Sequence, residues 1–134
     1  MDVIRRNTDY ALRLAVGLVE NFGKGPVSAR ALAEAADVYY ELACKLLQKL
    51  ASAKLVKSTL GAGGGFELAK RPDKISLYQV IEAVQGDICL NRCVLDPKSC
   101  PKKPKCMISK KLVVLEKHIE EYLKNITLDE LLKN

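Results

Sequence analysis

Ser28-Ala29-Arg30-Ala31-Leu32-Ala33-Glu34-Ala35-Ala36, then Asp37-Val38, then Tyr39-Tyr40-Glu41-Leu42-Ala43-Cys44-Lys45-Leu46-Leu47-Gln48-Lys49-Leu50 is the stretch that decides the fold. Ser28 stands where an N-cap belongs, because its hydroxyl can accept an otherwise unsatisfied N–H of the first turn. The alanine-rich run after it is made of strong helix formers. Asp37-Val38 is a tight break. A second helix follows from about Tyr39 to Ala53, with Leu42, Leu46, Leu47 and Leu50 as its apolar stripe. Two helices across so short a break have the layout of a helix-turn-helix.

The flanks extend this reading. Upstream, Ala11, Leu14, Ala15 and Leu18 recur at helical spacing and predict a helix from about Thr8 to Glu20, stopped by Gly23-Lys24-Gly25-Pro26. Downstream the period changes. Leu55-Val56-Lys57-Ser58-Thr59 and Phe66-Glu67-Leu68 are strand-prone, and Gly61-Ala62-Gly63-Gly64-Gly65 lies between them. A hairpin directly after a helix-turn-helix is a wing. A phosphate-binding loop would need a helix after the glycines and a Gly-Lys-Ser/Thr, and neither is there. Ser76 caps a further helix, Leu77 to about Val84, ended by Gly86.

Such a helix pair presents polar residues from the N-terminal half of its second helix to a major groove about 12 Å wide. Tyr39, Tyr40, Glu41, Lys45 and Lys49 lie on that helix, while Lys54 and Lys57 follow in position for phosphates. Ser28 at the cap and Gly61 and Gly63 in the wing complete the candidate DNA contacts. A net charge of +6 over 134 residues agrees with a polyanionic partner. The fold class expected is mainly α with a small β-hairpin wing, carried by residues 1–86.

Residues 87–106 lack usable periodicity and are rich in proline, lysine and cysteine. Cys89, Cys93, Cys100 and Cys106 are spaced C-x3-C-x6-C-x5-C, with Cys44 apart on the second helix of the pair. Five cysteines cannot all pair within one chain, and convergent thiolates bind soft metals. Nearby basic residues, among them Arg92, Lys102 and Lys105, favour thiolates and would offset an anionic cluster. Zinc is the other reading, although only Cys89/Cys93 has the close spacing of a zinc knuckle. Cys44, among leucines, reads as a small buried hydrophobe.

Residues 107–134 are expected to form a dimerisation helix and a short last helix. Ile108, Leu112, Leu115, Ile119, Tyr122 and Ile126 alternate by four and three, the spacing of a coiled-coil seam. Thr127-Leu128-Asp129-Glu130 is a capping box. His118 falls between seam positions with no nucleophile to serve, so enzymatic chemistry has no foothold. No run approaches the roughly 18 apolar residues of a membrane span, and the N-terminus lacks an apolar signal core, so a cytoplasmic protein is expected.

The chain resembles the IscR/NsrR type of regulators, the Rrf-two family, over essentially its whole length. The matching stretches are Thr8-Asp9-Tyr10-Ala11-Leu12, Leu50 through Lys57, Gly61-Ala62-Gly63-Gly64-Gly65-Phe66, the cysteine loop, and Asn125-Ile126-Thr127-Leu128. The resemblance implies a homodimer of winged helices, with the long helices crossed at the interface and an operator of double-stranded DNA. It also implies an iron–sulfur cluster, 2Fe–2S or 4Fe–4S, on Cys93, Cys100 and Cys106. In the IscR kind a histidine three residues after the last cysteine completes the ligand set, and Ser109 stands there. In the NsrR kind the fourth ligand is an aspartate of the first helix, and Asp9 occupies that place, with Cys89 as its rival. Many relatives carry an arginine before the first wing glycine, where this chain has Leu60. Some members carry no cluster.

Overall fold

The computed structural model describes residues 3–90 and 107–133. Helix α1 spans Arg6–Glu20, α2 Ala29–Ala36 and α3 Tyr40–Ser52, followed by strands β1 (Val56–Thr59) and β2 (Gly65–Leu68). A 3-10 turn at Pro72–Lys74 leads into α4 (Leu77–Gln85); beyond the loop come α5 (Met107–Asn125) and a last 3-10 turn, Leu128–Leu132.

Local chemistry sets these boundaries. The Ser28 hydroxyl accepts from the Ala31 N–H at 3.1 Å, the expected cap of α2. Asp37 ends α2 in the left-handed region at φ 57°, which aspartate tolerates better than most residues. That one residue, with Val38 buried behind it, turns the chain into α3. Tyr39 is the N-cap of α3 and Ala53 its C-cap, so the helix is one residue shorter at each end than the leucine pattern predicts. Ser76 and Gln79 form a reciprocal capping box on α4.

The core is aliphatic. Ala11, Leu14, Ala15 and Leu18 of α1 meet Leu32 of α2 and Ala43, Leu46, Leu47 and Leu50 of α3, all at or near zero exposure. Leu42, expected in the stripe, is only half-buried, and Ala43 takes the inward place. Truncating a fully buried leucine such as Leu47 to alanine costs about 2–5 kcal/mol, a large share of a small domain's stability. Ile75 and Leu128 close the far side, tied by the Leu128 N–H donating to the Ile75 carbonyl at 2.9 Å.

The wing is a two-stranded antiparallel hairpin with Val56 opposite Leu68 and Thr59 opposite Gly65. Its root is fastened to the segment before α2: Val27 and Phe66 exchange both backbone hydrogen bonds, at 2.9 and 2.7 Å. Gly65 sits at this crossing with φ 154°, and a Cβ there would collide with the Val27 carbonyl. Only glycine lets the wing approach the helix pair so closely. Among the described residues no helix is long and apolar enough to cross a membrane.

Candidate nucleic-acid interface and the root of the cysteine loop

Helix α3 sorts its side chains by face. Ala43, Leu46, Leu47 and Leu50 are buried, while Tyr39, Tyr40, Glu41 and Lys45 are exposed. Tyr39 is 86% exposed, although nothing in folding rewards holding an aromatic ring in water. Tyr40 is flanked on two sides. The Arg30 guanidinium lies 4.3 Å from its ring centroid, and Cys44 lies one turn on. The Cys44 side chain, ahead of a slight desolvation, raises the Tyr40 phenol above its ordinary value. Cys44 is thus half-exposed on the outer side of α3, not the buried hydrophobe that its leucine neighbours predict.

The cations divide. Lys45 is exposed at the surface. Lys49, exposed along its length, donates to the Val84 carbonyl at 3.3 Å, bracing α3 against the end of α4. Lys57 faces Glu67 across the hairpin at 3.3 Å. An exposed pair of this kind is worth at most about 1 kcal/mol, so a phosphate can compete for the lysine. Gly61 and Gly63 adopt φ of 91° and 76°, and Leu60 stands 94% exposed beside them. The Ser28 oxygen accepts the cap bond of α2, which leaves its O–H to donate. Arg30 had no sequence signal as a site residue; only the packing of α2 on α3 brings it over Tyr40.

Cys93, Cys100 and Cys106 lie outside the described residues. Of the remaining candidate ligands, Asp9 projects from an exposed position in the first turn of α1 and pairs with Arg13 at 3.1 Å. Such an i,i+4 surface pair contributes about 0.3–0.5 kcal/mol, too little to hold the carboxylate against a metal. Just before it, Thr8 is fully buried and donates to Gln85 Oε1 at 2.7 Å, an oxygen that also accepts from the Arg5 N–H at 3.0 Å. The same Gln85 amide donates to the Val3 carbonyl at 2.8 Å. The start of α1 is therefore fixed to the last residue of α4, at the root of the cysteine loop.

Cys89 sits at that root too, half-buried. Burial, and then the neighbouring Glu116 and Asp87 carboxylates, push its thiol up. Glu116 also accepts from the Leu90 N–H at 3.1 Å. Ser109 is buried in the first turn of α5. Among the described residues no three His, Cys, Asp or Glu side chains converge as a metal site.

Helix α5 splits its expected seam. Leu112 and Ile119 are half-buried, whereas Ile108 and Tyr122 are each 70% exposed and Leu115 is 48% exposed. These three recur every seven residues and form an apolar stripe that stays exposed among the described residues.

An outward-facing second helix beside a hairpin wing, on a helical core, is the reading head of a winged helix-turn-helix DNA-binding protein. The chain belongs to the Rrf2 (Rrf-two) family of transcriptional regulators, whose model, described as an iron-dependent transcriptional regulator, matches residues 4–134. The regulator IscR of Sodalis glossinidius is 31% identical over 125 residues, covering 93% of this chain and 75% of that protein. Among solved structures, T. potens IscR superposes with a TM-score of 0.73 at 32% identity, covering 97% of this chain and 85% of its own. CymR, the global cysteine regulator of B. subtilis, gives 0.75 at 25% identity, covering 98% and 96%. The fold expectation and the family resemblance are borne out, and the relatives are regulators of transcription, not enzymes.

Proposed function

We propose that the chain is a homodimeric, sequence-specific regulator whose affinity for its operator is switched by an iron–sulfur cluster. The observation that carries the reading is the placement of Asp9. Its carboxylate is exposed and weakly engaged, on a helix start anchored through Thr8 and Gln85 to the root of the cysteine loop. The ligand set is Cys93, Cys100 and Cys106 of one subunit with Asp9 of the partner subunit. Cys89, half-buried beside the Glu116 and Asp87 carboxylates, is the rival fourth ligand. Thiolates and one carboxylate oxygen are a suitable donor set for such a group.

When bound, the cluster supplies a link sensitive to oxidants, nitric oxide and iron–sulfur status. The chain's own residues convert that link into a change of reading. Gln85 holds the start of α1 to the end of α4, and Lys49 holds α3 to the same end of α4 through Val84. A pull on α1 or on the loop therefore reaches α3. In a dimer whose half-sites lie about 34 Å apart, small changes in the separation of the two α3 helices alter affinity. Tyr39, Tyr40, Glu41 and Lys45 read bases, Lys57 and the wing glycines contact the backbone, and the apolar stripe of α5 packs on its symmetry mate.

Anaerobic purification followed by absorption and iron and sulfide analysis tests this reading. The account expects a coloured protein whose colour is lost in Cys93→Ser, Cys100→Ser, Cys106→Ser and Asp9→Ala. A protein that stays colourless and iron-free after anaerobic reconstitution contradicts it. A regulator without a cluster, with zinc or free thiols in the loop, is the second reading, favoured by the likeness to CymR.

A further inference from the structure

The wing carries a feature that phosphate binding does not use. Residues 58–66 contain no charged side chain, and the nearest cation, Lys57, faces Glu67 at 3.3 Å. At the end of β1 stands Leu60, 94% exposed, whereas Phe66 at the start of the return strand packs against the core. Leu60 leaves the protein uncovered on the side where a cleft opens towards Gln48 and Ser52 of α3. The four glycines keep the tip thin, so Leu60 is the one large side chain there, with the Ala62 methyl beside it and the exposed Ser58 and Thr59 hydroxyls behind it on β1. A minor groove is about 6 Å wide, room for such a tip.

We propose that Leu60 is a specificity-determining residue that enters the minor groove flanking the α3 site as an apolar wedge. A wedge partly unstacks one base step and bends the duplex there. Pyrimidine–purine steps (TA and CA/TG) deform most easily, so the wing selects operators carrying one at that position. Covering a leucine side chain is worth about tenfold to a hundredfold in an equilibrium constant, and without a cation that gain is independent of salt. This inference rests on the DNA-binding reading of α3 and the wing.

The test is selection of duplexes from a random library by the full chain, purified anaerobically, as wild type, Leu60→Ala and Leu60→Arg. Equal melting temperatures of the three proteins show that the fold is unchanged. The wild type should enrich a core sequence with a flanking TA or CA/TG step. Leu60→Ala should keep the core, lose the flank and bind about tenfold more weakly with an unchanged salt slope. Leu60→Arg should exchange the step for an A-tract, whose narrow groove attracts cations, and steepen the slope by about 0.9 per wing. A wild-type flank other than a pyrimidine–purine step, or a Leu60→Ala protein with the wild-type flank and affinity, overturns the proposal alone. A wild type that enriches no core overturns it together with the regulator reading.

Discussion

The guanidinium of Arg30, in the first turn of α2, lies 4.3 Å from the centroid of the Tyr40 ring, the first residue of α3. The contact joins the two helices of the reading head on their outer side, where Tyr40 meets solvent. An exposed cation–π pair contributes about 0.5–1 kcal/mol to the fold. Arg30→Ala should therefore lower the melting temperature only slightly. It should weaken operator binding more, about tenfold, because Tyr40 loses its orientation and the interface a cation. Arg30→Lys should recover part of the phosphate affinity but not the stacking. Fluorescence anisotropy with labelled operator reads both effects, and unchanged affinity in Arg30→Ala removes Tyr40 orientation from the account.

Tyr78 ties α4 to α5. Its hydroxyl donates to Glu120 Oε1 at 2.7 Å, and the Lys124 ammonium lies 4.8 Å from its ring centroid. Burial first, and then the Glu120 hydrogen bond and charge, push the phenol well above its ordinary value. The folded state thus keeps this proton more firmly than the unfolded chain does. Its contribution is fully present below the unfolded value of about 10 and is lost as pH rises from there towards the folded value. Tyr78→Phe should cost about 1 kcal/mol at neutral pH, since Glu120 is partly solvated. It should also shrink the alkaline loss of stability, as read by denaturant melts between about pH 9 and 11.

Cys89 should behave as a bystander thiol. Its half-buried site beside Glu116 and Asp87 disfavours ionisation, so alkylation at neutral pH should be several-fold slower than for a free cysteine. Cys89→Ser should retain the iron content of the wild type, whereas Cys93→Ser should lose it. Iron loss in Cys89→Ser equal to that in Cys93→Ser would exchange the fourth ligand from Asp9 to Cys89.

The stripe of Ile108, Leu115 and Tyr122 should bury itself on its copy in a second subunit. Leu115→Glu places a charge from each subunit in that seam. Sedimentation should then show a monomer in place of a dimer, with operator affinity reduced at least about a hundredfold as the two half-sites uncouple. A dimer that persists in Leu115→Glu moves the interface elsewhere.

The readable part of this chain was its local chemistry. The leucine spacing of α3, the Ser28 and Ser76 caps and the glycine run marked three helices and the wing to within a residue or two. They did so because period and capping depend only on neighbours along the chain. The start of α1 at Arg6, two residues earlier than expected, has no side-chain cap to announce it. Long-range pairings left no local mark: Arg30 over Tyr40, Lys49 on Val84, and Gln85 closing on Thr8 across 77 positions. Cys44 is half-exposed where its leucine neighbours predict burial, because helical period gives the angle of a residue and not the depth of its neighbours. The splitting of the α5 stripe became visible only once one side of that helix was packed on α4. The candidate ligands Cys93, Cys100 and Cys106 rest on spacing and family resemblance.

Operator affinity, measured anaerobically on one preparation before and after cluster removal, should change by at least about tenfold, equivalent to about 1.4 kcal/mol of coupling. The change should vanish in Asp9→Ala and persist in Cys89→Ser. Equal affinity of loaded and cluster-free protein for the same operator would contradict it.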